Sequence, residues 1–395
     1  MSDTRNVAMK TKVGIKKFYF RCMQLSVWEK ETFFDKQDII IVGSGLVGLW
    51  SALELKTKNP ALKITILERG FIPSGASTRN AGFACFGSPS ELIHDRNILG
   101  EDKMWSIVEL RYKGMEKMIR ILKDDIIDFD RCGGYEVYNS RTLTNDLAEN
   151  VVWLNKGLKE ITGNDSCFSW SNEKLSLFGF SGFSSMIENK LEGYVHSGKL
   201  VQLLLKKVQS LGVQVFTNAM VTGWNKANHE IEVDTSSSVK FATNQLLVCT
   251  NAFTSDLLPE KIIPARGQVI LTAPIEGLKM KGTFHYEEGF YYFRNLGNRI
   301  LLGGARNCSF ETETTTEMQT SEVIQQRLEE FIAEHLLLNK EFLIEQRWSG
   351  IMGFTDDKQP LIKRIDDKVS VAVSCNGMGV ALAPVIAQKV CEMIT

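Results

Sequence analysis

The stretch DIIIVGSGLVGLWSALELKTKNPALKITILE, residues 38–68, decides the fold. It begins with a continuous apolar strand, of the kind that is buried on both faces of a parallel sheet. Gly43, Gly45 and Gly48 follow at once and lead into a helical pattern that ends before an Asn-Pro pair. A second apolar strand then ends at Glu68. This order of strand, glycine turn, helix and strand predicts one βαβ unit.

The spacing of the three glycines suits a dinucleotide. Gly43 allows the tight turn out of the strand, Gly45 lets a pyrophosphate approach the backbone, and Gly48 lets helix and strand pack closely. The pyrophosphate would lie at the helix N-terminus, where free N–H groups and the helix dipole favour an anion. Glu68 can accept hydrogen bonds from both ribose hydroxyls and would repel a 2′-phosphate. The glycine pattern alone is a weak signal, but here both strands, the helix and the carboxylate are in register with it.

Two further motifs are typical of flavin contacts. SGASTRNAGF, residues 74–83, combines small residues that permit close backbone approach with a fixed cation, Arg79. CNGMGVALA, residues 375–383, stands between a buried strand and a helix, whose N-terminus would stabilise an anionic reduced flavin. Each motif has a simpler alternative, a solvated surface loop for the first and an ordinary strand–helix turn for the second.

Composition narrows the possible functions. The 395 residues are 44% apolar and 24% charged, with a net charge of -1, and a nucleic-acid-binding chain would carry a basic excess. The eight cysteines and five histidines show no metal-ligand spacing, so no metal site is expected. We interpret the cysteines as reduced thiols of a cytoplasmic protein. No apolar run reaches the roughly 18 residues that a membrane-spanning helix needs.

Together the three motifs resemble the D-amino acid oxidase family of FAD-dependent oxidoreductases, which includes glycine and sarcosine oxidases. The resemblance covers nearly the whole chain from about residue 37. Five more blocks match in order and spacing: EGYVHSGKLVQLLLKKVQSLGVQVF (192–216), LLVCTNAFTSDLLP (246–259), PARGQVI (264–270), ILLGGAR (300–306) and WSGIMGFTDDKQPLI (348–362).

The resemblance implies an α/β fold, in which a Rossmann-type FAD-binding domain is interleaved with an α+β substrate domain built on an antiparallel sheet. The expected segments are an N-terminal extension (1–36), the FAD-binding domain (37–90, 190–258 and 346–395) and the substrate domain (91–189 and 259–345). Hydrophobic patterns also predict a short amphipathic helix docked at 25–34, helices at 100–130, 199–211 and 321–338, a hairpin turning at 295–298, and a terminal helix from about residue 380.

The resemblance also assigns cofactor contacts by position. The implied contacts are Gly43, Gly45 and Gly48 at the pyrophosphate, Glu68 at the ribose with Arg69 beside it, and Val221 at the adenine. Ser77, Thr78, Asn80, Ala81 and Gly82 would line the flavin, Thr250 and Asn251 would lie near the cofactor, and Gly377, Met378 and Gly379 would cap the O2 side of the ring. Some relatives attach FAD through a cysteine in the block at 348–360. None occurs there, so we expect non-covalent FAD.

The same block departs from the family at the substrate. In glycine and D-amino acid oxidases it supplies an arginine for the substrate carboxylate, whereas Met352 stands there in this chain and offers no hydrogen-bond donor. Arg79, Arg294 or Arg306 could replace that arginine, since a guanidinium fork suits a carboxylate. Of the three, Arg294 is more typical of a structural ion-pair partner.

The strand that contains Tyr291 and Tyr292 could also contact the substrate, although alternation allows only one of the two side chains to face the site. The candidates for orienting the substrate are Arg79, Tyr292 and Arg306.

The expected reaction is oxidation of the C–N bond of a small amine or amino acid by hydride transfer to flavin N5, with oxygen or a quinone as electron acceptor. Two alternatives remain. One is an FAD-dependent enzyme of RNA modification, which would need a basic surface. The other is a flavin-binding scaffold without turnover.

Overall fold

The computed structural model describes residues 25–227, 229–237 and 239–395. The predicted N-terminal extension therefore lies largely outside the described residues. Its described part contains a six-residue helix, α1 (Val27–Thr32), which begins at a capping box formed by Ser26 and Glu29. The two residues satisfy each other's backbone N–H groups, which accounts for a helix of so few turns.

The predicted docking of α1 through its aromatic face is wrong. Trp28 is 74% exposed and Phe33 is 54% exposed. Phe34, just beyond the helix, packs instead against Phe216 and Phe241, with ring centroids 5.8 Å and 5.4 Å away. The helix is too short to present an apolar stripe, so a single aromatic residue after it attaches this segment to the body.

The predicted βαβ unit is confirmed as β1 (Gln37–Val42), α2 (Leu46–Lys58) and β2 (Ile64–Leu67). β1 pairs in parallel with β2 on one side and with a later strand, β11 (Lys240–Val248), on the other. All four residues from Ile39 to Val42 are buried, which explains why the strand is apolar at every position.

The sheet around β1 has the spatial order β17–β18–β11–β1–β2–β8, and β10 and β9 continue it from β11. Its other strands are β8 (Gln214–Phe216), β9 (Val221–Ala227), β10 (Glu230–Thr235), β17 (Leu361–Arg364) and β18 (Val369–Val373). The core strands are parallel, whereas β9, β10 and β17 are antiparallel additions.

A second sheet is mainly antiparallel, with the order β16–β12–β15–β14–β13–β4–β6–β5. Its strands are β4 (Gly134–Tyr138), β5 (Phe168–Trp170), β6 (Ser185–Asn189), β12 (Ile263–Thr272), β13 (Thr283–Tyr286), β14 (Tyr291–Leu296), β15 (Arg299–Gly304) and β16 (Ile344–Phe354). A short ribbon joins β3 (Phe83–Ala84) to β7 (Gly193–Tyr194). The predicted hairpin is confirmed, because Leu296 pairs with Arg299 across a two-residue turn.

The domain boundaries stay a prediction, and one strand bears on them. β16 pairs with β12 along most of its length, so residues 346–354 belong to the second sheet, whereas the sequence assigned them to the FAD-binding domain. β16 lies at the edge of the second sheet, and the chain runs from it directly into β17 of the first sheet. The sequence of β16 alone does not indicate which of the two sheets it joins.

The remaining helices are α3 (Pro89–Leu99), α4 (Glu101–Leu122), α5 (Asp124–Ile127), α6 (Leu147–Thr162), α7 (Glu173–Phe178), α8 (Ser197–Ser210), α9 (Phe310–Glu313), α10 (Glu322–Phe331) and α11 (Gly379–Ile394). The helix predicted at 321–338 corresponds to α10, which ends at Phe331, and to a π-helical turn that follows it directly, Ile332–Leu336. α4 and α11 approach closely at Gly114, where an added methyl group would lie 2.0 Å from the Ala381 carbonyl oxygen.

Candidate active site

A cleft of about 800 Å³ opens at the carboxyl ends of β1, β2 and β11 and is also lined by residues of the second sheet. In an open parallel sheet, this edge is where ligands bind. Of the predicted cofactor contacts, those that line the cleft are Gly43, Gly45, Glu68, Arg69, Ser77, Asn80, Ala81, Gly82, Val221, Thr250, Asn251, Gly377, Met378 and Gly379. All three substrate candidates, Arg79, Tyr292 and Arg306, line it as well.

The glycine turn between β1 and α2 requires two of its glycines for different reasons. Gly43 has a φ of 104°, and a methyl group there would lie 2.8 Å from the Cys249 carbonyl oxygen. Gly48 does not line the cleft. It packs against the turn, because a methyl group there would lie 2.1 Å from the Gly43 carbonyl oxygen. Gly48 therefore acts by bringing α2 against β1, not by touching a ligand.

The N-terminus of α2 faces the cleft at Gly45. Gly45, the N-cap residue, has no side chain with which to cap the helix, and the nearest atom to an added methyl group would be Ser77 Oγ at 3.0 Å. Ser77 Oγ accepts a hydrogen bond from the Leu46 N–H at 2.9 Å. The remaining donors of the first turn suit an anion such as a pyrophosphate.

Glu68 ends β2 and is 8% exposed at the wall of the cleft. Its Oε2 accepts from the Ser44 N–H at 3.0 Å and from the Ser44 hydroxyl at 2.6 Å, and its Oε1 accepts from the Gly70 N–H at 2.8 Å. The carboxylate thus connects the glycine turn to the loop after β2. The next residue, Arg69, lies 3.6 Å from the ring centroid of Phe253, which also lines the cleft.

Asn80 organises the loop at residues 74–83. Its Oδ1 accepts from the Gly82 N–H at 2.8 Å and from the Ser197 hydroxyl at 2.7 Å, and its Nδ2 donates to the Ala76 and Ser77 carbonyl oxygens. The loop therefore has its shape before any ligand arrives. Ser77, Ala81 and Gly82 reach the cleft in this way.

Thr78 does not line the cleft, contrary to the sequence prediction. It lies in a single helical turn, Ala76–Thr78, and its hydroxyl donates to the Pro73 carbonyl oxygen at 2.7 Å. That bond turns the side chain towards the loop that precedes it. Thr78 supports the loop, and its contact with the flavin stays a prediction.

Three further chain segments, which begin at Val221, Asn251 and Gly377, also line the cleft. Val221 begins β9, and Asn251 begins a helical turn with a φ of 50°, its Nδ2 donating to the Ile351 carbonyl oxygen at 3.3 Å. Gly377 has a φ of 83° and precedes Met378, the N-cap of α11. The terminal helix thus begins at Gly379, one residue before the predicted start, with its N-terminus at the cleft.

These features fit a dinucleotide flavin. A bare glycine turn meets the N-terminus of a 13-residue helix, a buried carboxylate ends the next strand, and a second helix N-terminus lies at the same cleft. The glycine turn with its helix N-terminus suits a pyrophosphate, and the carboxylate suits a ribose. The second helix N-terminus suits the electron-rich ring of a reduced flavin.

Strand alternation separates the two neighbouring tyrosines as expected. Tyr292 lines the cleft, whereas Tyr291 packs in the hydrophobic cluster of the second sheet, the second core, which includes Phe284, Phe293 and Phe331; its ring is stacked on that of Phe331 with centroids 4.8 Å apart. Burial raises the pKa of Tyr292 to about 12, with Arg306 opposing that shift. Tyr292 is therefore a neutral phenol at ordinary pH and can donate a hydrogen bond into the cleft.

Arg306 follows β15 and reaches the cleft without an anionic partner among the described residues. Its guanidinium carbon lies 4.9 Å from the ring centroid of Phe310 and 5.1 Å from that of Phe354. Burial lowers the pKa of Arg306, which means that the site disfavours the charged form. An incoming anion would relieve that cost.

The other two arginines are held by the protein. Arg79 Nε donates to the Ser74 carbonyl oxygen at 2.8 Å, and its Nη1 donates to the Ser349 carbonyl oxygen at 2.9 Å. Arg294 does not line the cleft. It is 3% exposed and lies over the ring of Tyr194 at 4.0 Å, and burial lowers its pKa to about 10. The predicted structural role of Arg294 agrees with this placement, but its partner is an aromatic ring and not a carboxylate.

Sequence patterns gave no indication of a polar wall made by Glu91, Arg111 and His285. Arg111 is 2% exposed, and its Nη1 donates to Glu91 Oε1 at 2.8 Å. His285 lies on β13 directly opposite Tyr292. The only sequence signal for Arg111 was its position in the apolar stripe of α4, where an arginine is out of place.

A histidine–carboxylate contact and an ion pair join α3 to loops that border the cleft. His94 Nδ1 lies 3.0 Å from Glu288 Oε2, and Lys358 pairs with the buried carboxylate of Asp95. Except for Asp95, these residues line the cleft. The charged side chains of this wall are thus paired with one another, and Arg306 differs from them in having no such partner among the described residues.

Among the described residues, no helix is long and apolar enough to cross a bilayer, and no group of three or more His, Cys, Asp or Glu side chains is arranged to hold a metal ion.

The model of the DAO family, described as FAD dependent oxidoreductase, matches residues 38–393. The chain is 24% identical over 381 residues to the probable oxidoreductase OrdL of Haemophilus influenzae, covering 92% of this chain and 84% of that protein. Two solved structures share its fold. The L-proline dehydrogenase of P. horikoshii has a TM-score of 0.74 at 19% identity, and the glycine oxidase of Geobacillus kaustophilus has a TM-score of 0.70 at 19% identity. Each covers 91% of this chain and 94% of its own length. With a glycine turn, a ribose-type carboxylate and a match along nearly its whole length, the chain belongs to the DAO family of FAD-dependent oxidoreductases.

Proposed function

We propose that this oxidoreductase oxidises the C–N bond of a small amino acid, or of a related amine, to an imine. The observation that carries the proposal is Arg306, a cation in the wall of the cleft with no anionic partner among the described residues. A substrate carboxylate supplies that partner. Tyr292, next to Arg306 in the cleft, supplies a second donor to the same group.

The charge distribution of the cleft supports an anionic group on the substrate. Glu91 is paired with Arg111, and Asp95 is paired with Lys358. These pairs cancel locally, whereas Arg306 has no carboxylate at ion-pair distance among the described residues; Glu313, which acts on it from further away, is itself paired with Arg266. A guanidinium in a partly buried site binds a carboxylate more strongly than in water, because less solvent competes for it.

Bound FAD would supply the hydride acceptor for the carbon that carries the nitrogen, and water would hydrolyse the imine after its release. The protein orients the substrate for this step. Arg306 and the Tyr292 hydroxyl hold the carboxylate, which fixes the position of the adjacent carbon. The cofactor contacts predicted from the sequence, other than Thr78, would hold the flavin in the cleft. Gly48 would contribute through the packing of α2 on β1.

The names of the structural relatives point in the same direction, since one is an L-proline dehydrogenase and another a glycine oxidase. Their identity to this chain is too low to transfer a substrate. We therefore propose the chemical class only, with oxygen or a quinone as the final electron acceptor. We also propose a cytoplasmic location, because the seven cysteines of the described residues are unpaired thiols.

An anaerobic panel tests the reaction. Holoenzyme is mixed without oxygen with glycine, sarcosine, L-proline, other L- and D-amino acids, putrescine, and hydroxy acids as controls. Loss of the visible flavin absorption with a nitrogen compound, together with an ammonia or amine product after hydrolysis, is the expected result. Bleaching only by hydroxy acids, or by no member of the panel, would contradict the proposal.

A further inference from the structure

His285 is a buried polar side chain in the cleft whose ring makes no hydrogen bond to the other described residues. It is 7% exposed and lines the cleft, and its Nε2 is enclosed. Among the described residues, neither ring nitrogen has a hydrogen-bond partner within bonding distance. Nε2 is enclosed by protein and out of reach of a ligand, so the ring nitrogen that can meet one is Nδ1, which is likewise unpaired among the described residues.

The position of His285 is fixed by its neighbours. It is the cross-strand partner of Tyr292, so both side chains leave the same face of the second sheet. Phe83 packs edge-on against both rings, 5.1 Å from His285 and 6.0 Å from Tyr292. Nδ1 borders the cleft at Gly289, where an added methyl group would lie 3.6 Å from it. One side of the imidazole is thus closed by protein and the other borders the cleft.

The surroundings keep the ring uncharged. Burial lowers the pKa of His285 to about 4, with Glu91 opposing the shift and Arg111 adding to it. Glu91, which is paired with Arg111 at 2.8 Å, does not outweigh the effect of burial. A neutral imidazole has one acceptor nitrogen and one donor nitrogen.

We propose that His285 accepts a hydrogen bond from the nitrogen of the substrate, and so acts as the positioning residue for the amine as Arg306 does for the carboxylate. This inference rests on the proposed function. His285 lies on β13 and Arg306 just beyond the end of β15, and Tyr292 stands on β14, the strand between these two. The described residues do not fix which ring nitrogen of His285 carries the proton. A hydrogen bond from the substrate N–H requires the accepting nitrogen to be unprotonated, and so it selects the tautomer.

Matched ligand pairs isolate this contact. In each of the pairs glycine and propanoate, L-proline and cyclopentanecarboxylate, and iminodiacetate and glutarate, a carbon replaces the nitrogen and the acid group is kept. Affinity for the carbon acids is read from the shift of the oxidised flavin spectrum. Affinity for the nitrogen compounds is read from the concentration dependence of anaerobic flavin reduction.

His285→Phe keeps an aromatic ring and removes both nitrogens. We expect the preference for the nitrogen compound within a pair to fall about tenfold, the size of one buried hydrogen bond, while the affinity for the carbon acid is unchanged. His285→Gln, whose amide oxygen still accepts, should recover part of the preference. Tyr286→Phe is the matched control, because that neighbouring side chain faces the second core and donates no bond into the cleft.

Equal weakening of both members of a pair in His285→Phe would overturn the proposal, since it would show a packing role alone. An unchanged preference would also overturn it. The FAD content and melting temperature of each variant show whether the fold is intact, and His285→Gln provides the comparison if the phenylalanine variant is unstable. If wild-type enzyme is reduced by none of the nitrogen compounds or the wider panel, the amine oxidation itself is refuted. Reduction with an unchanged preference in the variant refutes only the role of His285.

Discussion

Gly303 and Tyr292 face each other on adjacent strands, and the tyrosine ring occupies the space that a side chain at Gly303 would need. A methyl group at Gly303 would lie 2.5 Å from Tyr292 Cε2 and 2.7 Å from its hydroxyl oxygen. Gly267, one strand further, would place a methyl group 3.5 Å from the same hydroxyl. Neither glycine has a positive φ, so the backbone does not require them. The two glycines let Tyr292 lie across the sheet towards Arg306.

We predict that Gly303→Ala displaces Tyr292 and lowers kcat/KM for an amino acid substrate by about 10- to 100-fold, because a shift of about 1 Å in a positioning group has that effect. A double-mutant cycle with Tyr292→Ala checks the cause. In the Tyr292→Ala background, Gly303→Ala should have little further effect, since the ring it displaces is gone.

Gly223→Ala is the control for that cycle, since a methyl group there would meet no atom within 4 Å and its φ is not positive. Additive losses from Gly303→Ala and Tyr292→Ala would contradict the relationship between the two residues.

The packing of α2 on β1 gives a second prediction. Gly48→Ala should destabilise the fold by about 2 kcal/mol through overpacking and leave the purified protein with little FAD, because its methyl group would lie 2.1 Å from the Gly43 carbonyl oxygen. The measurements are the ratio of FAD to protein and the melting temperature. A Gly48→Ala enzyme with a full complement of FAD would show that the close packing of helix and strand is unnecessary for the site.

The parts of the site that could be predicted from the sequence are local ones. The glycine turn and Glu68 lie within one βαβ unit, where spacing along the chain determines spacing in three dimensions. The alternation of Tyr291 and Tyr292 was also predictable, but which of the two faces the cleft depends on the register of β14 with β13 and β15.

The parts that could not be predicted depend on contacts between distant segments. His285 has no motif, and its role depends on Phe83 and Tyr292 meeting it in the folded chain. Arg79 and Arg306 look alike in the sequence, yet the first is bound to the backbone of Ser349, 270 residues away. Only the fold shows which of these arginines is available for a ligand.

The cofactor attachment is a third prediction. Cys85, Cys249 and Cys375 line the cleft, but burial raises the pKa of all three thiols, that of Cys375 to about 12, so none is a thiolate at neutral pH. Because the thiolate is the nucleophile, we expect FAD to be non-covalent. Acid precipitation of holoenzyme should release all the flavin into the supernatant. A yellow pellet that keeps its flavin after washing would contradict this expectation.

Glu192 gives a fourth prediction, on stability and pH. Burial raises its pKa from 4.5 to about 8, although its carboxyl accepts from the Phe86 and Gly87 N–H groups. Since the folded-state pKa lies above the unfolded one, the stabilising contribution is complete below about pH 4.5 and is lost as the pH rises through about 8. Glu192→Gln should therefore match wild type near pH 5 and be more stable at pH 9, on the order of 4 kcal/mol.

Melting temperatures of Glu192→Gln, wild type and the exposed control Glu160→Gln across this pH range provide the check. A constant difference between Glu192→Gln and wild type at every pH would show that Glu192 does not titrate in this window.

Arg306 is proposed to bind the carboxylate of the substrate, and a comparison of substrates with and without that group measures this contact. The rate of anaerobic flavin reduction is measured for glycine against methylamine and for L-proline against pyrrolidine, in wild type, Arg306→Met and the surface control Arg299→Met, whose arginine pairs with Glu345. We predict that wild type and Arg299→Met favour the amino acid, and that Arg306→Met loses about 100-fold of this preference, the value of one charge-assisted contact of about 3 kcal/mol. An Arg306→Met enzyme that keeps the wild-type preference for glycine or L-proline would contradict the account.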